Sequence, residues 1–391
     1  MKNLEATFQI VTPMFLGGAD HQATTIRPSS IKGALRFWWR ALNWSKHPNL
    51  QSLHKQEAQL FGAAASDNGG GGQGVFLMRV LPNKTPLQTT KEKIIHKDFS
   101  SQTAARYLGY GLMEAFNSKE KGTSAGQLTR DCINEGQSFV VELLFRKEID
   151  ESVKEALIAF GLLGGLGSRA RKGMGSIALQ TIRTGEENIW LAPKNNDEYR
   201  TEIKRVLNDC NVVKPAPYSA FHSETRVDWL LEESNPFTAL NTYGTAMMMY
   251  RSWGNGGKVL GKESEKNFQN DHDWYREREK VPSNFHPRRI IFGLPHNYSK
   301  HEKDHVNPEN YERRASPLFL HIHKIEDKYV GISILMKSDF LPTNEKIKAG
   351  TGKEPVDAKI EWDVLTDFLD GLVKETEKPR FPKKQLLWGK K

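Results

Sequence analysis

The stretch IRPSSIKGALRFWWRAL, residues 26–42, can bury only one of its faces. At about 100° per residue from Ser30 onward, Ile31, Ala34, Leu35, Trp38, Ala41 and Leu42 form one apolar stripe, the pattern of a helix laid on a core. Lys32, Arg36 and Arg40 fall together on another face, spaced i, i+4, i+8, with Trp39 beside them. Pro28 followed by two serines predicts the helix start. Lys32 then lies in the first turn, where a cation opposes the helix dipole. No acidic residue between Ile26 and Leu42 offsets the three charges. The basic stripe is therefore expected to meet an anion, and Trp38 to pack into the core.

The whole chain leans the same way. Its 391 residues carry 56 Lys and Arg against 47 Asp and Glu, a formal charge of +9. Such a surplus suits a polyanionic partner, nucleic acid or an acidic membrane surface. Two cysteines, Cys132 and Cys210, cannot build a disulfide framework or a zinc knuckle. No apolar run is long enough to span a bilayer, and residues 1–30 lack a signal-peptide pattern, so a cytoplasmic protein without membrane contact is expected.

LEATFQIVT (4–12), VFLMRVL (75–81), FVVELLF (139–145) and SIALQTI (176–182) read as strands, and DESVKEALIAFGLLG (150–164) as a helix. With the helix of 26–42 this gives strand–helix–strand–strand–helix–strand, the ferredoxin-like or RRM-like order, here with insertions. The second half echoes it. Residues 235–253 read as a helix with Asn235 as N-cap and Pro236 in the first turn. RIIFGLP (289–295) and the hairpin-like 317–337 read as strands, 361–375 as an amphipathic helix, and 380–391 as a basic tail. The expected fold is α+β, two tandem ferredoxin-like domains over residues 1–184 and 185–391.

GLLGGLGSRARKGMGS (161–176) contains a formal G-x-G-x-x-A. A dinucleotide fingerprint needs a strand before it and a helix after it, whereas here the order is helix, loop, strand. What remains is a turn rich in glycine, Gly164, Gly165, Gly167, Gly173 and Gly175, carrying Arg169, Arg171 and Lys172. Glycine lets backbone N–H groups approach an oxyanion and the cations add charge, so phosphate contact is expected. GGKVLGKE (256–263) fails as a Walker A loop because Glu263 stands where Ser or Thr must hold Mg²⁺. HEKDH (301–305) matches a zinc-protease motif, but its polar surroundings point to a solvated loop. GTSAG (122–126) lacks the register of a serine-hydrolase elbow. No metal site, cofactor or convincing catalytic constellation is expected. The enzyme alternative would use His21 as general base.

Residues 12–20, 26–42, 60–62 and 161–176 together resemble the RAMP superfamily of CRISPR-associated proteins, and more narrowly its members in the type III-B (Cmr) effector. FGLP (292–295) and RRASPLFLHI (313–322) resemble second-domain landmarks of the same group. The resemblance implies two ferredoxin-like domains in a non-catalytic subunit of an RNA-guided antiviral ribonucleoprotein. Guide RNA, target RNA and other subunits of the complex would be its partners. A metal-independent endoribonuclease and a protein scaffold are the alternatives. Lys32, Arg36 and Arg40 match the basic face of the family's first helix, and Arg169, Arg171 and Lys172 its glycine-rich loop. Arg288, Arg289, Arg313 and Arg314 are added from the second half, and Trp39 as a ring on which a base could stack.

Overall fold

The structure is a computed structural model that describes residues 1–390 except 19–21, 23–24, 65–70, 82–84, 277–284, 299–304 and 351–353. Strand β1 (Lys2–Ile10) buries every second side chain, Leu4, Ala6, Phe8 and Ile10, as an alternating strand must. It is followed by α1 (Pro28–Asn43), α2 (Leu50–Phe61), β2 (Phe76–Val80), α3 (Thr103–Leu108) and β3 (Ser138–Phe145). Then come α4 (Glu151–Leu163), β4 (Ile177–Thr184) and β5 (Glu187–Leu191). The first sheet has the order β2-β3-β1-β4-β5 with every neighbouring pair antiparallel. Leu4 stands opposite Leu143 and Phe8 opposite Phe139, whose rings stack at 5.3 Å.

The second half contains α5 (Asn196–Leu207), β6 (Arg226–Glu233), α6 (Pro236–Arg251), α7 (Gln269–Arg276), β7 (Leu318–Ile325) and β8 (Lys328–Leu335), then α8 (Asp363–Asp370) and β9 (Gln385–Gly389). Its principal sheet runs β7-β8-β6-β9, again antiparallel throughout. The four main strands of each half are thus arranged alike: second, third, first, fourth.

Three expected elements turn out differently. RIIFGLP is no strand: Arg288–Phe292 coils into a 3-10 turn, because Asp271 accepts from the backbone N–H groups of both Arg288 and Arg289, at 2.9 and 3.0 Å. The basic tail contains the closing strand β9, whose Gln385 pairs with Trp229 and whose Leu387 is buried. The helix expected over 361–375 stops at Asp370, ahead of Gly371. The first sheet continues past residue 184 through β5 to Leu191.

Both hydrophobic cores draw on both halves of the chain. One joins β1, α1 and α4 to Trp229, Phe319 and Ile332 of the second sheet. The other sets α6 and α8 against Val11, Phe15 and Leu108. Asn241 of α6 even caps α3 of the first half, accepting from the N–H groups of Ala104 and Ala105 at 3.1 and 3.3 Å. The two sheets therefore meet along a shared, tightly packed seam.

Candidate nucleic-acid interface

The first basic stripe is largely neutralised inside the protein. Arg36 Nε and Arg40 Nη1 both donate to Glu57 Oε1 of α2, at 2.5 and 2.7 Å. The carboxylate is only 3% exposed, so it is dehydrated and held by its two guanidiniums. Lys32 forms no ion pair with a described residue and lines a recess with Pro28, Ser29 and Phe61. Trp39 does not face a ligand. It is fully buried between α1 and α4, its indole N–H donating to Ser152 Oγ at 2.8 Å. Trp38 is buried as expected, against Phe221 and Phe319.

The glycine-rich loop joins the two halves. The hydroxyls of Thr12 and Ser176 donate to the Gly173 carbonyl at 2.7 and 3.0 Å. The Leu320 N–H donates to the Arg171 carbonyl, Arg171 Nη1 to the Ser316 carbonyl, and the Ile322 N–H to Ser176 Oγ, all at 3.0–3.1 Å. A Cβ at any of Gly164, Gly165, Gly167, Gly173 or Gly175 would come within 3 Å of protein atoms. At Gly175, with φ +61°, it would lie 2.0 Å from the Leu166 carbonyl oxygen. These glycines therefore serve close packing, against backbone at Gly165, Gly167 and Gly175 and against the Leu240 and Leu320 side chains at Gly173.

The cations of the loop behave differently from the glycines. Arg171 is sandwiched, its guanidinium 4.3 Å from the Phe319 ring centre and 5.3 Å from that of Phe37. Burial first, and Arg314 second, lower its pKa to about 10. Lys172 is held down to about 7, by burial and then by the charges of Arg251, Arg169 and Arg171. Arg169 is lowered by burial and by Arg313 and Arg130. Arg130, Arg169, Arg171, Lys172, Arg251, Arg313 and Arg314 thus form one electrostatic neighbourhood across the seam. Among the described residues, none of the seven has an ion pair with a carboxylate, whereas Arg36, Arg40 and Arg289 all do.

The second-half arginines divide. Arg289 is buried and donates from Nε to Asp271 at 3.0 Å, while Arg288 donates to Glu361 at 2.7 Å. Both are thus ion-paired within the fold, which the sequence did not announce, because α7 supplies Asp271 and the segment just ahead of α8 supplies Glu361. Arg313 is exposed. Arg314 donates to Ser338 Oγ at 3.0 Å and to the Phe340 carbonyl. Sequence reasoning did not single out Arg130 or Arg251. Arg251 lies in a stretch without a carboxylate from Pro236 to Lys262, a signal that was available; Arg130 is followed directly by Asp131 and gave none.

His321 and His323 sit side by side on β7, with Nε2 of the first 3.1 Å from Nδ1 of the second and Tyr199 packed on His323 at 4.7 Å. Both are 1% exposed and burial holds both pKa values down, His323 to about 3. They are sealed from any substrate. His21 and most of the HEKDH stretch lie outside the described residues. Among the described residues no group of three or more His, Cys, Asp or Glu could hold a metal ion, and no helix is long and apolar enough to cross a membrane.

Residues 7–178 match the model of the RAMP superfamily. The chain is similar to CRISPR system Cmr subunit Cmr1-1 of Pyrococcus furiosus, 27% identical over 351 residues that span 88% of this chain and 87% of the relative. It is also similar to subunit Cmr1-2 of the same organism, 27% identical over 46% of this chain and 97% of the relative. The fold matches the crystal structure of Cmr1 from Pyrococcus furiosus in its apo form, with a TM-score of 0.58, 20% identity, and coverage of 100% of this chain and 99% of that one. It also matches a chain in a cryo-EM structure of the type III-B Cmr-beta bound to cognate target RNA and AMPPnP, with a TM-score of 0.52 and 13% identity, covering 94% and 97%.

Proposed function

We propose that this chain is a non-catalytic RNA-binding subunit of a type III-B CRISPR effector complex, built on two ferredoxin-like domains, with RNA lying along the seam between them. The observation that carries the reading is the group of seven cations that have no ion pair with a carboxylate of a described residue. Like charges left uncompensated by the fold repel one another, and a polyanion would relieve that repulsion. A strand of phosphates fits a group drawn out along a seam better than a single small anion does. The matching strand order of the two sheets supports the ferredoxin-like reading. The similarity to Cmr subunits supports guide or target RNA, and the other subunits of such a complex, as cytoplasmic partners.

Titration of single-stranded RNA against the purified chain tests the proposal. With about 4–6 phosphate contacts, raising salt fourfold should weaken binding by roughly 50- to 300-fold. Labelled repeat RNA should remain intact during the same incubation. An affinity insensitive to salt would defeat the RNA reading, and cut RNA would favour a nuclease.

A further inference from the structure

Resting on that reading, we infer that Tyr110 is a base-stacking platform at the edge of the cationic seam and gives the surface its preference for single-stranded RNA. Tyr110 lies in the turn that follows α3, and its side chain is 71% exposed. Its ring has no ring-stacking, cation–π or hydrogen-bond contact with a described residue. Its backbone, in contrast, is clamped. Arg169 Nε donates to the Tyr110 carbonyl at 2.9 Å, and Thr129 Oγ1 donates to the carbonyl of Gly111 at 3.1 Å. One turn earlier, Arg251 Nη1 donates to the Tyr107 hydroxyl at 3.0 Å. Asn241 caps the same helix from the second half.

The segment 107–111 is therefore fixed by two cations of the group, Arg169 and Arg251, along its border. Arg169 in turn has Arg130 and Arg313 in its electrostatic neighbourhood, so the free ring stands beside uncompensated positive charge. A solitary exposed tyrosine needs no explanation. One on a rigid turn, flanked by cations that pair with no carboxylate of a described residue, is placed as a stacking ring beside a phosphate track should be. A base has a π-face whatever its identity, so such a ring would favour unstacked, single-stranded RNA without reading sequence. Phe116 supplies an internal control: it is 76% exposed on the same insertion, yet among the described residues no cation of the seam bonds to it or to its chain neighbours.

The test uses the full chain and two probes of equal length, an ordinary single-stranded RNA and an abasic ribose-phosphate strand. For the wild type, the base-bearing strand should bind more tightly. Tyr110→Ala should weaken its binding by about 5- to 50-fold while leaving the abasic strand and the salt slope unchanged. Tyr110→Phe should retain the affinity, and Phe116→Ala should leave it within twofold. Equal loss on both probes would overturn stacking, as would no loss at all with Tyr110→Ala. Unaltered RNA binding with failed incorporation into the assembled particle would overturn it in favour of a protein contact. Absence of salt-dependent binding by the wild type would instead defeat the RNA reading itself, so the two failures are distinguishable.

Discussion

The α1 stripe and the seam each collect arginines and lysines, and the fold treats them in opposite ways. On α1, a single buried carboxylate, Glu57, takes two of the three cations. At the seam, seven cations gather and no carboxylate of a described residue pairs with any of them. Charge pattern along a helix is therefore a poor guide to charge that remains available. A cation counts toward binding only after the tertiary structure has had its chance to neutralise it. Glu57 is 17 residues beyond Arg40, on another helix, and nothing in residues 26–42 announces it.

The largest expected effect separates the two regions directly. Arg169→Ala/Lys172→Ala/Arg313→Ala should weaken RNA binding by about 100-fold at low salt and flatten the log–log salt slope by roughly two units. Lys32→Ala/Arg36→Ala/Arg40→Ala should cost under about threefold in the same titrations. Equal losses would erase the contrast. The reverse holds for stability. Glu57→Gln leaves two half-buried guanidiniums with a neutral partner, and should lower the unfolding free energy by about 2 kcal/mol, less than a fully buried pair because both arginines reach solvent. Urea denaturation measures this, and a change under about 0.5 kcal/mol would mean that Glu57 does not tie the stripe down.

How far the sequence revealed all this depends on how local the cause was. The strand and helix order was legible where periodicity alone carries the signal, as in β1 with its strict alternation and in the α1 stripe. Strand β6 was missed because RVDWLLEE is buried on both faces over most of its length and shows no alternation. Strand β9 was taken for a tail because the lysines on either side of it, Lys383, Lys384, Lys390 and Lys391, hide the short apolar run that pairs with β6. The candidate site divides similarly. The loop cations were legible from the density of charge beside glycine. Their separation from Arg36, Arg40, Arg288 and Arg289 was not, since Glu57, Asp271 and Glu361 come from remote segments. Trp39 was misread because one helix face can border both a basic stripe and the neighbouring helix α4, and the second contact is invisible locally.

Lys172 sharpens the comparison through pH. Its folded pKa of about 7 lies below the ordinary 10.5, pushed down by burial and then by Arg251, Arg169 and Arg171. Between those two values the unfolded chain binds the extra proton, so this lysine makes stability rise with pH from about 7 to about 10.5. Phosphate beside it acts in the opposite sense, because it favours the charged form. RNA binding should therefore take up a proton and strengthen by roughly tenfold as pH falls from 8.5 to 6.5. Lys172→Arg, which stays charged, should remove that dependence while keeping the salt slope. A wild-type affinity flat across this range would take Lys172 out of the interface.

The smallest effect contrasts two aromatic residues. Trp39 adjoins a basic stripe in sequence, yet it is buried and its indole N–H is spent on Ser152, whose own hydroxyl donates to Asp150 at 2.6 Å. Trp39→Phe deletes one internal hydrogen bond and some core volume, at about 1–2 kcal/mol. Since no ligand can reach the ring, RNA affinity should stay within twofold once the variant is folded. Tyr110→Ala should do the converse, leaving the melting curve in place and lowering RNA affinity. Measuring stability and RNA titration on both variants gives a crossed pattern if proximity in sequence and availability in the fold are separate properties. A weakening of RNA binding by Trp39→Phe equal to that by Tyr110→Ala would return Trp39 to the interface and reopen the α1 face as a binding surface.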